Sequence, residues 1–572
     1  FEVPMNQQEQ GYWSITLPEA IPGTRYKYQL DGRQAFPDPA SLSQPEGVHE
    51  ASEVIALDRF EWTDDNWKNI PLHEMIQYEL HTGTFTPEGD FDGIISKLDY
   101  LLDLGINTIE LLPVAQFSGF RNWGYDGVYP FAVHHGYGGA KGLMKLVDSC
   151  HSKGMAVILD VVYNHFGPEG NYVSNFGHYF SGKYSTPWGQ PLNFDDAHSD
   201  EVRNYIIQNA LMWCRDFHMD GLRLDAVHAI FDFGAEHILK QLAGKLGELS
   251  GSTDKSYYLI AESHLNDVRY ISPFSKGGYG LDAQWSDDFH HALHALVTND
   301  RKGYYEDFGE PWQLSKAIKD AFVFDGKYSR YRKKTYGNST ENNEGMQFVI
   351  FNQNHDQVGN RKHGERLISL SSFEMAKLAG GAMLVSPNIP MLFMGEEYGE
   401  RSPFYYFVSH LDAELNRLVK EGRKKEFEKF FDDQAEVSDP ASAETFEQSK
   451  LKWGIQGDAE SRGMHAYYKE LIRLRKTNPV LRVPNKNDLK ITNSGKSFTL
   501  RRWAEGRHVL VFMNFDQQPA EFEVPETMHG ALEKLVDSSA KQWNGPGEKS
   551  PQKVSAGDRV ELSKEAILIY SN

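Results

Sequence analysis

Residues 155–164 read Met-Ala-Val-Ile-Leu-Asp-Val-Val-Tyr-Asn, an almost continuous apolar run that ends in polar side chains. A run without apolar–polar alternation is typical of a strand buried on both faces, as in a parallel sheet covered by helices. Seven similar runs occur along the chain. The predicted strands are residues 76–85, 106–114, 155–164, 221–227, 257–262, 280–285, 347–352 and 391–394.

Amphipathic segments separate these strands. In the first of them, between residues 91 and 102, apolar side chains recur three and four positions apart, which is the spacing of one helix face. Further helices are predicted at residues 201–214, 235–249, 375–384 and 464–474. Eight strand–helix repeats predict an α/β fold of the (β/α)8 TIM-barrel type, with a doubly wound sheet as the alternative.

The residue pattern changes along the chain and divides it into four parts. Residues 1–57 alternate aromatic and polar side chains between turn signals, which predicts an N-terminal β-sandwich resembling an E-set or carbohydrate module. Residues 58–75 are a linker, and residues 76–484 form the barrel with insertions at 166–200 and 401–450. Residues 485–572 return to alternating β-strands, so we predict a C-terminal β-sandwich.

Composition excludes several classes of protein. The 572 residues carry 59 Lys and Arg against 80 Asp and Glu, a net charge of −21, which disfavours nucleic acid and anionic membranes as partners. The two cysteines, Cys150 and Cys214, are too few for a disulfide framework. There is no apolar run of the roughly 20 residues that a membrane span needs. No signal peptide is visible, and we expect a cytoplasmic location.

Polar side chains cluster at the carboxyl ends of four predicted strands. TIM-barrel enzymes place their chemistry at this end of the barrel, so we expect these side chains to meet. They are Asp225, Glu262, Asp356, Arg223, His165 and His355.

Two of the carboxyl groups have neighbours that predict opposite protonation states. Arg223 and Asp225 are two residues apart on a strand and therefore point to the same face, where the arginine keeps the carboxylate ionised. Glu262 follows an apolar run, and apolar surroundings raise a carboxyl pKa. One ionised and one protonated carboxyl group are what glycoside hydrolysis requires. A site for a hard cation and a catalytically inactive, glycan-binding barrel are the alternatives.

Four segments in order along the chain resemble the signature regions of the α-amylase clan of glycoside hydrolases. They are Asp160-Val-Val-Tyr-Asn-His165, Gly221-Leu-Arg-Leu-Asp225, Ala261-Glu262 and Asn354-His355-Asp356. The resemblance implies a (β/α)8 barrel that retains anomeric configuration.

The resemblance also implies roles for individual residues. Asp225 would be the nucleophile, Glu262 the acid/base, and Asp356 the group that supports the positively charged transition state. Tyr125 would stack beneath the scissile sugar. Orientation of these groups and binding of sugar hydroxyls would fall to His165, Arg223 and His355.

Within the clan, the chain is most similar to the maltooligosyltrehalose trehalohydrolase family. The segments that carry this similarity extend over most of the chain and include Asn122-Trp-Gly-Tyr-Asp-Gly-Val128, Thr186-Pro-Trp-Gly189 and Trp285-Ser-Asp-Asp-Phe-His-His-Ala-Leu-His294. The resemblance implies hydrolysis of the α-1,4 bond next to the terminal trehalose unit of maltooligosyltrehalose. It also implies a functional pairing with a maltooligosyltrehalose synthase. A 1,4-α-glucan branching enzyme and an α-amylase are the alternatives, and we expect no cofactor and no metal ion.

Sugars present apolar faces and polar edges, so their sites combine aromatic with charged side chains. We predict that such a mixture lines the trehalose-binding side of the cleft, with a core position as the alternative for Trp285 and a helix-capping role for His291. The predicted residues are Trp188, Trp285, Asp287, Asp288, His290, His291, Tyr331 and Arg332.

Overall fold

Eight parallel strands close into a barrel in chain order, as predicted. The computed structural model describes residues 1–431, 437–528 and 530–572. Nearly every residue of these strands is buried, which explains their unbroken apolar sequences. The strands are β1 (Gln77–Leu80), β2 (Thr108–Leu111), β3 (Ala156–Val161), β4 (Gly221–Leu224), β5 (Tyr258–Ala261), β6 (Ala283–Trp285), β7 (Phe348–Phe351) and β8 (Ile389–Phe393).

Helices surround the barrel and occupy its loops. Within the described residues they are Thr82–Phe85, Phe91–Ile95, Leu98–Leu104, Gly139–Ser152, Ser199–Arg215, Ile238–Thr253, Asp287–Thr298, Pro311–Asp320, His355–Gly359, Leu367–Leu370, Phe373–Leu384, Ala413–Phe431, Ala443–Gln448 and Ala459–Thr477. Along the described part of the chain, none is both long and apolar enough to cross a bilayer.

Most predicted strands are longer than those observed, and two predicted elements each combine two observed ones. The strand predicted over residues 76–85 ends at Leu80, because the chain turns into the short helix Thr82–Phe85. The helix predicted over residues 91–102 is two helices, Phe91–Ile95 and Leu98–Leu104. The apolar spacing continues from the first of these helices into the second, so periodicity alone could not reveal the break between them.

The N-terminal segment is less regular than the predicted sandwich. Residues 1–57 contain three antiparallel pairs of two-residue strands, which are Asn6–Gln7 with Trp13–Ser14, Arg25–Tyr26 with Ser52–Glu53, and Tyr28–Gln29 with Ala35–Phe36. This segment rests on the barrel, where Tyr205 donates a hydrogen bond of 2.6 Å to the carbonyl oxygen of Pro39.

The two insertions have different structures. Residues 166–200 are mostly irregular, as predicted. Residues 401–450 include the helices Ala413–Phe431 and Ala443–Gln448, and residues 432–436 of this insertion lie outside the described residues. Two further hairpin pairs occur in the barrel loops: Ala115–Gln116 with Tyr129–Val133, and Lys327–Ser329 with Lys334–Tyr336.

The C-terminal region consists of antiparallel sheets, as predicted, although His529 lies outside the described residues. Its strands are β9 (Leu489–Ser494), β10 (Ser497–Ala504), β11 (Arg507–Asn514), β12 (Ala520–Glu523), β13 (Leu532–Asp537), β14 (Lys553–Val554), β15 (Arg559–Leu562) and β16 (Ala566–Ser571). Six strands form one sheet in the order β9-β10-β11-β16-β13-β14, and β12 pairs with β15. Apolar side chains fill the space between the two layers, among them Phe512, Phe522 and Leu568. The domain boundaries given above stay a prediction.

Two buried arginines, one on a barrel helix and one on the C-terminal sheet, bond the same segment of the barrel. Arg475, on the helix Ala459–Thr477, donates a hydrogen bond of 2.7 Å to the carbonyl oxygen of Asn388. Arg502, on β10, donates one of 2.9 Å to that of Val385, and both arginines bond the carbonyl oxygen of Ser386. Burial lowers the pKa of Arg475 to about 10 and lowers that of Arg502. Through these hydrogen bonds, both guanidinium groups supply donors to the carbonyl groups that follow the helix Phe373–Leu384.

We expect Arg502→Met to destabilise the protein. Each buried carbonyl group that loses its donor costs about 1–3 kcal/mol, so the midpoint of urea unfolding should fall. The matched control is Arg501→Met, since Arg501 is the next residue on β10, is partly exposed and donates to Thr527. Equal midpoints for the two variants would contradict a role for Arg502 in joining the two regions.

Candidate active site

The three predicted catalytic carboxyl groups lie at the same end of the barrel. Asp225 and Glu262 are the first residues after β4 and β5, and their main-chain N–H groups continue the sheet ladders to Val161 and Leu224, each at 3.0 Å. Asp356 lies in the first turn of the helix His355–Gly359, which follows β7. The barrel thus brings together residues separated by more than 100 positions in sequence.

Arg223 connects the acidic groups from below. Its side chain is fully buried, and its Nη1 atom lies 2.8 Å from Asp225 Oδ1 and 2.8 Å from Asp160 Oδ2. Its Nη2 atom lies 3.8 Å from Glu262 Oε2. The guanidinium carbon is 4.2 Å from the centre of the Trp285 ring. A buried charge needs such partners, since removing it from water without them is costly.

Asp225 is held in its ionised form. Burial acts to raise the pKa of this carboxyl group, but the positive charge of Arg223 leads a set of interactions that lower it overall. Asn164 contributes by donating a hydrogen bond of 2.9 Å to Asp225 Oδ2. His165 bonds the side-chain oxygen of Asn164 and the main-chain oxygen of Tyr125, the latter at 3.0 Å. The carboxylate is thus fixed from two sides.

Glu262 has the opposite preference. Burial, and then the negative charges of Asp225, Asp287 and Asp356, raise its pKa to about 8 against the opposing effect of Arg223. Its Oε2 atom accepts a hydrogen bond of 2.7 Å from the main-chain N–H of Ala226. Ala226 adopts a left-handed conformation with φ 41° and ψ 49°, which a residue with a Cβ atom rarely occupies. The turn after Asp225 therefore positions Glu262.

A hydrogen-bonded chain of four side chains crosses the floor of the cleft. Glu79 on β1 accepts a bond of 2.6 Å from His355 Nδ1, and His355 Nε2 lies 2.7 Å from the Tyr125 hydroxyl. Tyr125 in turn donates a bond of 2.7 Å to Asp160. Burial opposes the charged imidazolium, but Asp356 and Glu79 raise the pKa of His355 to about 9. Asp356 itself is 43% exposed, so its carboxylate faces the open cleft.

Other predicted sugar-binding side chains line the rim. Trp188, which is 49% exposed, stacks on His165 with ring centres 5.6 Å apart. Arg332 packs on the Tyr336 ring and donates a hydrogen bond of 3.1 Å to the carbonyl oxygen of His264. Tyr331 is half-buried beside it.

Asp287 faces the same cleft from the first turn of the helix Asp287–Thr298. Burial and the charge of Asp356 raise its pKa to about 7. Gln357 lies 3.4 Å from its carboxyl group. Asp287 therefore interacts electrostatically with Asp356 and with Glu262, and its negative charge helps to raise the pKa of Glu262.

Three predicted sugar-binding residues are buried instead, and the prediction for them is corrected here. Trp285 is 1% exposed and lies inside the barrel under Arg223. Asp288 accepts the main-chain N–H groups of Val323 and Phe324 at 2.7 and 3.0 Å. His290 bonds the main-chain oxygen of Asn352 and the hydroxyl of Tyr305. All three satisfy internal partners, and the core position for Trp285 was the better interpretation.

His291 is also buried, and its ring packs against aromatic neighbours. The Tyr304 and Phe308 rings lie 4.8 and 5.1 Å away, centre to centre. Burial and the positive charge of Arg332 lower its pKa to about 3, so the imidazole is neutral.

Three residues that contact this machinery were not predicted as site residues. They are Glu79, which bonds His355, Asp160, which bonds Arg223 and Tyr125, and Asn164, which bonds Asp225. A polar side chain inside or just after an apolar strand was the available signal for each. Among the described residues, no group of three or more His, Cys, Asp or Glu side chains is arranged to hold a metal ion.

Comparison with known proteins places this cleft in a family. The model of the alpha-amylase catalytic domain matches residues 46–186. A malto-oligosyltrehalose trehalohydrolase of Saccharolobus solfataricus is 52% identical over 82% of this chain and 81% of its own length. A 1,4-alpha-glucan branching enzyme of Geobacillus stearothermophilus is 28% identical over 73% of this chain and 67% of its own.

A solved structure of an alpha-amylase-type protein has the same fold. A crystal structure from Salmonella typhimurium, described as a putative alpha amylase, superimposes with a TM-score of 0.89 at 35% identity. The match covers 99% of this chain and 94% of that one. The chain therefore belongs to the malto-oligosyltrehalose trehalohydrolase family, a branch of the alpha-amylase (β/α)8-barrel enzymes.

Proposed function

We propose that this protein hydrolyses the α-1,4-glucosidic bond next to the terminal trehalose unit of a maltooligosyltrehalose. The products are trehalose and a shortened maltooligosaccharide, with retention of anomeric configuration. Family membership supports the substrate, and the cleft supports the chemistry. The observation that carries the proposal is the contrast between Asp225, whose pKa is lowered, and Glu262, whose pKa is raised to about 8.

In the first step, the Asp225 carboxylate attacks the anomeric carbon and Glu262 gives its proton to the departing trehalose oxygen. A covalent glycosyl-enzyme results. Arg223 and Asn164 hold the attacking carboxylate, and the exposed Asp356 stabilises positive charge that develops on the sugar ring.

In the second step, the ionised Glu262 removes a proton from a water molecule, whose oxygen attacks the anomeric carbon and displaces the Asp225 carboxylate. Tyr125 lies against the His355 ring in the cleft, where we place the scissile sugar. Asp287 and Arg332 offer charged groups for the hydroxyls of trehalose.

A substrate of this kind must be supplied by a reaction that converts the reducing end of a glucan into trehalose, and we infer a functional pairing with the synthase that does so. We also infer a cytoplasmic location, since Cys150 and Cys214 are both buried free thiols.

The products distinguish the proposal from its alternatives. We expect maltopentaosyltrehalose to yield free trehalose and maltopentaose, with little cleavage of maltopentaose itself, when chromatography resolves the products. An α-amylase would cleave both substrates, and a branching enzyme would give longer or branched products. Either pattern would refute the proposed specificity.

Replacement of the nucleophile tests the proposed covalent step. We expect Asp225→Ala to lower kcat by roughly four orders of magnitude while circular dichroism and the thermal midpoint show a folded protein. Sodium azide should restore part of the turnover, because the small anion can occupy the vacated space and attack the same face of the sugar. The product should be a β-glycosyl azide, identified by NMR. An α-glycosyl azide, or full activity without azide, would show that Asp225 is not the nucleophile.

The pH profile tests the role of Glu262. A general acid must be protonated, so kcat/KM should fall about tenfold per pH unit above its pKa of about 8. The lowered pKa of Asp225 should keep the enzyme active into the acidic range. Glu262→Gln should remove the alkaline limb together with most of the activity. If the variant kept the limb, another group would be the acid.

A further inference from the structure

Arg423 connects the insertion at residues 401–450 to the short helix that carries Asp356. It lies on the helix Ala413–Phe431, and its side chain is 13% exposed. Its Nη1 atom donates a hydrogen bond of 2.9 Å to Asn360 Oδ1, and its Nη2 atom donates one of 3.1 Å to the carbonyl oxygen of Gly359. The guanidinium group therefore binds the carboxyl end of the helix His355–Gly359.

Aromatic packing fixes the position of Arg423 relative to this helix. The guanidinium carbon lies 4.9 Å from the centre of the Tyr406 ring, and the Tyr406 ring lies 5.1 Å from that of Trp123. A Cβ atom added at Gly359 would lie only 2.0 Å from Cζ2 of Trp123. Glycine thus allows the close approach between the short helix and the aromatic side chains that surround Arg423.

Asn360 links Arg423 to Asp356. The Nδ2 atom of Asn360 donates a hydrogen bond of 3.3 Å to Asp356 Oδ1, and its main-chain N–H donates one of 3.0 Å to the carbonyl oxygen of Asp356. An amide side chain has one accepting end and one donating end, whereas a guanidinium group can only donate. Arg423 therefore binds the oxygen end of Asn360 and leaves its NH2 end directed at Asp356.

Asp356 is held less firmly than the nucleophile. Its side chain is 43% exposed, and His355 Nε2 lies 3.5 Å from its Oδ1 atom. Asp225, by contrast, is 13% exposed and is bonded by Arg223 and Asn164. A group that stabilises developing charge is effective only if it is already oriented when the charge appears. The bond from Asn360 restricts the rotation that the exposure of Asp356 would otherwise allow.

We propose that Arg423 is a positioning residue, which acts through Asn360 to hold the Asp356 carboxylate in the orientation that supports the positively charged transition state. The proposal rests on the proposed function. It gives the helix Ala413–Phe431 of the insertion a role in the rate of the reaction as well as in the fold.

The first test removes the guanidinium group. Trehalose release from maltopentaosyltrehalose is measured for the wild type and for Arg423→Met, and kcat and KM are determined separately. Asp356 acts in the transition state, so we expect kcat to fall roughly 10-fold while KM changes less than about twofold. A wild-type kcat, or a change in KM alone, would overturn the proposal.

The matched control for this test is Arg417→Met. Arg417 lies on the same helix, is 52% exposed and pairs with Glu414 and Glu421 of that helix. This control should keep the kcat of the wild type. An equal loss of kcat in both variants would show a general effect of the helix and would overturn a specific role for Arg423.

The variant Asn360→Asp separates positioning from docking of the insertion. It keeps an oxygen acceptor for Arg423, so the helix should stay bound and the thermal midpoint should not fall. It also places a second carboxylate against Asp356 where the NH2 donor was, and like charges repel. We expect kcat to fall at least as far as in Arg423→Met. Retention of kcat would overturn the proposal, and this variant decides the question even if Arg423→Met does not fold.

A double-mutant cycle tests whether Arg423 acts through Asn360. In an Asn360→Ala background the link to Asp356 is already broken, so Arg423→Met should lower kcat by less than about twofold more. Losses that multiply would overturn the proposed route.

The wild-type reaction separates this proposal from the proposed function. Normal trehalose release by the wild type, with unaffected variants, would overturn the positioning role and leave the proposed function intact. Failure of the wild type to release trehalose would overturn the function, and the positioning role with it.

Discussion

The ionic contacts of Arg223 are the constraint on which the active site depends. A fully buried guanidinium is stable only when anionic partners replace the water that it has lost, and here Asp160 and Asp225 do so at 2.8 Å. The positive charge of Arg223 keeps Asp225 ionised. Glu262 lies 3.8 Å from the guanidinium, and there the charge does not offset the effect of burial, which raises the pKa of Glu262. The position of Arg223 relative to the two carboxyl groups thus contributes to the difference between their pKa values, together with burial and the neighbouring aspartates.

Closure of the barrel is what brings the parts of this network together. The chain of contacts from Glu79 through His355 and Tyr125 to Asp160 joins β1, the loop after β7, the loop after β2 and β3. No two of these residues are close in sequence. A change that opened the seam between β8 and β1 would therefore disturb the charge of the cleft as well as the fold.

Sequence reasoning located all eight barrel strands, because a strand buried on both faces must be apolar. It also placed Asp225, Glu262 and Asp356 at one end of the barrel, because each follows such a strand. The sequence predicted strands that are too long. The first, for example, ends at Leu80, but the residues after it are as buried as the strand itself. Glu79 is 276 positions from its partner His355, a separation across which no local pattern can report a contact.

The side chains of the segment after β6 show a related limit. Asp287 and Asp288 are adjacent acidic residues in the first turn of one helix. Asp287 faces the cleft, whereas Asp288 accepts main-chain N–H groups inside the protein. The inward direction of Asp288 depends on the main-chain N–H groups of Val323 and Phe324, which lie about 35 positions later in the sequence. Composition could predict a polar and aromatic cluster there but not the direction of each side chain.

The buried arginines Arg475 and Arg502 affect the order in which this part of the protein can form. A ribosome releases the helix Phe373–Leu384 and β8 before Arg475, and Arg502 only after β9. Until then, the carbonyl groups after that helix lack the donors that satisfy them in the finished protein. The last of these donors therefore becomes available only after β10 has been synthesised, so this part of the barrel cannot complete its hydrogen bonds as soon as its own strands are made.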